Sequence, residues 1–390
     1  MKILIRNVDV VTPNGVLSAA TCAVEDGKIL YIGNNPPACE REIDGAGGYL
    51  MPGFVDIHCH GAVNLDFMDA DADGFSEIAA YHLAHGTTTM LATTLSDTPE
   101  ATDESIRTFA AYREKYADGT LIGLHLEGPW FSAAQCGAQV SDYFRDPSEE
   151  ELTELKTKYP FILRVSAAPE REGGMAFGRR AQALGILASV GHSDADFRKV
   201  EEANKNGYTL MTHLYSGMRG TVRENAYRIA GAVEAGLYLD DMNVEIIADG
   251  KHLPVELLKL IYKCKGADKI CLITDASRAC GLPEGTKSTI GSLTHGAEIV
   301  VEDGVAFLLD KTAFGGSVAT FDRLVRTMAA AIGDDPVALA KMASTTPARL
   351  LGLADRGEIA AGKRADLVLM NERYEVQWVM QNGEIASAKQ

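Results

Sequence analysis

No apolar run in this chain reaches the roughly 20 residues that a membrane-spanning helix requires, so no transmembrane segment is expected. Basic residues are scarce: 37 Lys and Arg stand against 54 Asp and Glu, a net charge of −17. That deficit argues against nucleic acid or an anionic membrane as partner, since both need a basic surface. An anionic small substrate would need a local basic pocket. The seven cysteines are odd in number and include no Cys-x-x-Cys pair, so free buried thiols are expected rather than disulfides or a thiolate metal site. The first strand-like segment carries Arg6 and Asp9, which the core of a signal peptide would not, and cytoplasmic residence is expected. No Gly-x-Gly-x-x-Gly follows a first strand, which weakens the case for a doubly wound sheet.

With 390 residues and 46% apolar content, the chain can bury one large core and a small second one. Residues 2–11 and 21–32 alternate as strands do, with Pro13-Asn14-Gly15 and Asp26-Gly27 as turns. The same style returns over 357–390. Two separated β segments around a different middle predict one small β-sandwich domain built from both termini, residues 1–51 and 355–390. Between them, residues 52–354 alternate strand with amphipathic helix. Candidate strands are 53–60, 87–94, 121–127, 161–168, 186–192, 208–213, 244–249 and 269–275. Helix patterns cover 75–85, 99–116, 147–158, 194–206 and 254–265, several opened by Asp, Ser or Pro. Eightfold alternation predicts an α/β fold, a closed (β/α)8 TIM-like barrel. An inserted hairpin is expected over 286–310, with helices near 318–332 and 336–352 closing the barrel.

Five of the eight strands end in a metal-competent or acid–base residue: His58 and His60 on the first, Glu127 on the third, His192 on the fifth, His213 on the sixth, Asp275 on the eighth. Alternation along a strand puts His58 and His60 on one face roughly 6–7 Å apart, and an isolated His-x-His is commonly no more than a satisfied strand end. Its company changes that reading, because the carboxyl ends of barrel strands converge on one mouth. The set suffices for one or two divalent ions, zinc first, with iron, manganese or cobalt also fitting nitrogen and carboxylate oxygen. Asp275 is placed to take a proton from a metal-activated water and return it to a leaving group; helix capping is its lesser alternative. His125 faces the way Glu127 does and serves as a supporting residue or as core packing. His82, His85 and His295 are assigned no function.

The residues Gly53-Phe54-Val55-Asp56-Ile57-His58-Cys59-His60-Gly61, with Gly362-Lys363-Arg364-Ala365-Asp366 near the other end, resemble the amidohydrolase superfamily of metal-dependent barrel hydrolases. His125-Leu126-Glu127-Gly128-Pro129-Trp130, Ala168-Pro169-Glu170, Gly191-His192-Ser193, Thr212-His213-Leu214-Tyr215, Ala248-Asp249-Gly250-Lys251-His252 and Thr274-Asp275-Ala276 are similar, within it, to the N-acetylglucosamine-6-phosphate deacetylase family. The resemblance implies that Glu127, His192 and His213 hold the main ion. It implies a second ion at His58 and His60, bridged by Glu127 with Asp275 near it, and Asp275 as general base. For an amino sugar phosphate it implies His252, Ser216 and Gly217 as contacts, Arg223 and Arg228 as candidate phosphate ligands, Gln139 as a sugar contact, and a homodimer in which the neighbouring subunit helps bind phosphate.

Ser216-Gly217-Met218 stands where the family has Asn-Ala-Met, so the epimer and the need for phosphate stay open. The leading expectation is hydrolysis of N-acetylglucosamine 6-phosphate to the amino sugar phosphate and acetate. Alternatives are N-acetylgalactosamine 6-phosphate, an N-acyl amino acid, a deaminase, or a catalytically silent sugar-phosphate-binding homologue. A dihydroorotase-like reading is weaker, because strand 161–168 has no lysine to bridge two metals.

Overall fold

The computed structural model describes residues 2–117 and 119–388. Among them, eight strands form one parallel sheet: Phe54–Cys59, Thr87–Thr94, Leu121–Glu127, Ile162–Ala167, Leu187–Val190, Tyr208–Met211, Asn243–Ile246 and Ile270–Leu272. They neighbour one another in chain order from first to eighth. The seam between eighth and first is drawn together just past the strand ends, where Asp275 N donates to His58 O at 2.9 Å and His60 N donates to Ala276 O at 2.8 Å. The fold is the expected (β/α)8 barrel.

The reason the strands read so clearly lies in their burial. Thr87–Thr94 and Phe54–Cys59 are buried at every position, as strands covered on both faces must be. Met90, Leu124, Val165, Val190, Met211 and Val244 pack against Ile78, Phe109, Phe177, Val200 and Ile261 of the surrounding helices in one cluster. Each such side chain contributes about 1.5–3 kcal/mol by leaving water. Helices begin where side chains can cap them: Asp71, Thr98, Ser148 and Asp196 accept from the backbone N–H three residues on, each cap stabilising its helix by about 1 kcal/mol.

Both termini enter a second, mixed sheet of eight strands. Tyr49–Pro52 pairs in parallel with Lys2–Thr12 and antiparallel with Leu367–Met370, joining the two ends of the chain. Ile3, Ile5, Val8 and Val10 share a core with Leu367, Leu369, Trp378 and Met380. Over 286–310 a three-stranded antiparallel sheet replaces the expected hairpin: Lys287–Ile290, Ala297–Glu302 and Val305–Leu308. Asp303-Gly304 is a tight turn that lets the third strand fold back on the second. The expected helix over 336–352 is divided by a π-helical turn at Lys341–Thr345. Among the described residues no helix is long and apolar enough to cross a membrane.

Candidate active site

The strand ends bring six side chains to one point. Glu127 Oε1 lies 3.0 Å from His213 Nε2, 3.3 Å from His192 Nε2 and 3.4 Å from His58 Nε2, and Glu127 Oε2 lies 3.4 Å from His60 Nε2. Asp275 Oδ1 is 3.2 Å from His60 Nε2 and 3.4 Å from His58 Nε2. Two triads, His58–Glu127–His213 and His58–His60–Asp275, each have ligand atoms within 4.8 Å of one another. Three of these residues, His192, His213 and Asp275, have left-handed backbone with φ of 42°, 27° and 46°. Such strain costs about 1–3 kcal/mol per residue and collects at functional sites.

The far side of each ring fixes which atom faces inward. His60 Nδ1 is 3.3 Å from Thr93 O, His192 Nδ1 is 2.8 Å from Gln135 O, and His213 Nδ1 is 3.1 Å from Ser216 O. A carbonyl accepts only, so the proton sits on Nδ1 and the Nε2 lone pair is aimed at Glu127 and Asp275. Lone pairs against carboxylate oxygens repel unless a cation stands between them. Such anchoring of the outer nitrogen is how metal-binding imidazoles are oriented.

The electrostatics agree. Burial alone would raise the pKa of Glu127, but His58, His192 and His213 outweigh it and hold the carboxyl well below its usual range. Burial likewise opposes ionisation of Asp275, and His58 and His60 overcome it, bringing that group down to about 2. His58, which burial would keep neutral, is driven up to about 10 by Glu127, Asp275 and Glu245. The site is a buried anionic nest that demands positive charge, and the donor set fits a divalent ion.

His60, Glu127, His192, His213 and Asp275 line a cavity together with Gln139, Ser216, Gly217 and His252. His252 Nδ1 is 2.9 Å from Asp249 Oδ2, and its ring packs on Phe314 at 4.7 Å. Gly217 has φ of 56°, and a Cβ there would lie 2.7 Å from His192 Nδ1, so glycine is what lets the loop approach the ring. Gln139 is in the cavity, but its Nε2 is bound to Glu127 Oε2 at 2.7 Å. Arg223 and Arg228 are not brought into this cavity. They face each other across a two-stranded hairpin, Val222–Glu224 with Tyr227–Ile229, that projects both into solvent. Arg219, the third arginine of that loop, pairs with Glu224 at 2.6 Å.

The profile of the Amidohydrolase family matches residues 49–386, from the last strand before the barrel to the far edge of the terminal sheet. The chain belongs to the amidohydrolase family. The N-acetylglucosamine-6-phosphate deacetylase of Lysinibacillus sphaericus is 33% identical over 388 residues, covering 99% of this chain and 98% of its own. The N-acetylgalactosamine-6-phosphate deacetylase of Escherichia coli O157:H7 is 31% identical, covering 99% of this chain and 100% of its own. The solved structure of a mutant N-acetyl-D-glucosamine-6-phosphate deacetylase from Mycobacterium smegmatis, in complex with N-acetyl-D-glucosamine-6-phosphate, superposes with a TM-score of 0.90 at 31% identity, covering 99% of this chain and 100% of its own.

Amidohydrolases are metal-dependent, and this member carries the matching ligand groups. Its barrel also holds residues that the sequence reading missed. Arg164 and Glu245 form a fully buried ion pair beneath the mouth; Arg164 also donates to Ile57 O at 2.8 Å, and Glu245 Oε2 accepts from His213 N at 3.2 Å. Asp56 accepts from Thr274 Oγ1 and ties the first strand to the eighth. His125, which the sequence reading does name as a supporting residue or core packing, is buried, bonded to Ser166 Oγ at 2.7 Å and set edge-on to His58 at 4.6 Å. His82 is buried too, and its Nε2 meets Gly61 O at 3.1 Å beside the His58–His60 strand.

Proposed function

We propose that this amidohydrolase removes the acetyl group from an N-acetyl amino sugar 6-phosphate, N-acetylglucosamine 6-phosphate first, yielding acetate and the amino sugar phosphate. The observation that carries the reading is the convergence of four Nε2 atoms and two ionised carboxylates at the mouth of a barrel whose near-full-length relatives are named for that reaction. His192, His213 and Glu127 would hold the main ion; His58, His60 and Asp275, with Glu127 shared, would hold a second. We assign zinc, with iron, manganese and cobalt as the alternatives that reconstitution tests. When bound, a divalent ion supplies Lewis acidity that polarises an amide carbonyl and acidifies water.

The chain's own groups do the rest. Asp275 is ionised at neutral pH, so its carboxylate can accept a proton from the attacking water and pass it to the departing amine nitrogen. His252, held by Asp249, and the Ser216-Gly217 turn present polar groups to the sugar phosphate along the cavity wall. The exposure of Arg223 and Arg228 fits a homodimer in which each hairpin reaches a neighbouring site, a state that sedimentation checks.

The test is acetate release from N-acetylglucosamine 6-phosphate, its galactosamine epimer and both unphosphorylated sugars, with a chelator control. The Escherichia coli relative makes the epimer a real second reading. Turnover of a phosphorylated sugar alone supports the assignment and names the epimer. Bound metal without turnover of any sugar overturns it.

A further inference from the structure

Gln139 is a polar cavity residue to which the proposed reaction gives no task. Its Oε1 accepts from the backbone N–H of Ser96 at 3.0 Å, which leaves the NH2 end of the amide turned the other way, donating to Glu127 Oε2 at 2.7 Å. The residue is 7% exposed, and its own backbone N–H is bonded to Cys136 O at 3.0 Å. Both ends of the side chain are therefore committed. Glu127, the acceptor, is the carboxylate at which the ligand sets meet: Oε1 faces His58, His192 and His213, and Oε2 faces His60. The last torsion of a glutamate is soft, so rotating that carboxylate would withdraw oxygens from both sets together.

We propose that Gln139 is a positioning residue that locks the plane of the Glu127 carboxylate and thereby sets how tightly, and how many, divalent ions are held, rather than a grip on sugar. A carboxylate oxygen has two acceptor directions. Gln139 takes one on Oε2, the oxygen that also lies 3.4 Å from His60 Nε2, and the other would be open to a ligand-set ion. The inference rests on the metal-dependent hydrolase reading, yet its readout needs no sugar.

The experiment is zinc titration against a competing chelator, with elemental analysis of the dialysed protein, for the parent, Gln139→Leu and Gln139→Asn. Leucine removes the donor, and asparagine keeps the amide one methylene short. Both variants are expected to bind zinc roughly 10–100-fold more weakly, the usual effect of removing an outer partner of a metal ligand. The ion on the His58–His60–Asp275 side is expected to go first. Circular dichroism of the metal-free proteins should stay parental, and KM for the phosphorylated sugar should hold within about twofold. Unchanged zinc affinity would overturn the proposal by itself, and a raised KM beside it would return Gln139 to sugar contact. A parent that binds zinc but cleaves no sugar would sink the deacetylase reading and leave this comparison standing. A parent that binds no zinc would sink both.

Discussion

Glu245 Oε2 stands 3.4 Å from Nδ1 of His58 and, on its other side, 2.9 Å from the guanidinium of Arg164. Both members of this ion pair are fully buried in the barrel. Breaking a buried pair strands the remaining charge at a cost of about 3–5 kcal/mol, whereas replacing both partners by apolar groups is often close to neutral. Glu245→Leu is therefore expected to destabilise the metal-free protein by that amount, and Arg164→Leu/Glu245→Leu to recover most of the loss. Urea unfolding of the parent, each single variant (Arg164→Leu and Glu245→Leu) and the double variant decides it; losses that simply add would mean that the pair is not coupled.

That pair also shows where a sequence is readable and where it is not. The eight strands stand out because buried parallel strands are near-continuous apolar runs, and His58, His60, Glu127, His192, His213 and Asp275 stand out because each ends such a run. Arg164 and Glu245 sit inside their runs, one on the fourth strand and one on the seventh. Only a fold places them opposite each other, although two isolated opposite charges within apolar strands were a usable signal. Helix Gly174–Ala183 was not among the expected helices, because Gly173, Gly174 and Gly178 depress its propensity; Tyr208 packs where a Cβ at Gly178 would lie, 2.3 Å away. The 219–228 loop looks like an anion grip by composition, and its hairpin geometry turns Arg223 and Arg228 outward instead.

Asp275→Asn keeps shape and removes the proton acceptor. A positioned general base contributes about 10²–10⁴-fold, so kcat for acetate release is expected to fall by that factor with KM nearly unchanged. Steady-state kinetics on metal-loaded protein measure it. Retention of more than about a tenth of the parental kcat would show that another group moves the proton.

Gly217 and Gly185 make a matched pair of tests. Both have left-handed backbone, with φ of 56° and 67°, but a Cβ at Gly185 would meet nothing within 4 Å, whereas at Gly217 it would press on His192 Nδ1. Alanine at either position strains the backbone by about 1–2 kcal/mol. Only Gly217→Ala is expected to lower kcat/KM, by roughly 10–100-fold, because an ångström of misplacement at a reacting centre costs about that much. Equal activity in Gly217→Ala and Gly185→Ala would mean that His192 tolerates the shift.

Asp322 offers a pH test at a carboxyl that belongs to neither ligand triad. Its Oδ1 is 3.1 Å from His85 Nδ1 and its Oδ2 accepts from Arg326 Nη1 at 2.7 Å, with the residue only 6% exposed at the start of helix Phe321–Ile332. Burial would raise this carboxyl, but the bonds from His85, Thr320 and Arg326 prevail and hold it far below the ordinary range. A group whose folded pKa lies below its unfolded value of about 3.9 contributes stability that is fully present above that value and is lost as pH falls toward the folded pKa. Hydrogen bonds to a charged group are worth about 1.5–3 kcal/mol. Asp322→Asn is thus expected to melt below the parent at pH 7, with the gap narrowing steadily once pH drops under about 4. Thermal melts from pH 7 to pH 3 read the gap directly, and a constant gap across that range would show that Asp322 contributes packing rather than charge.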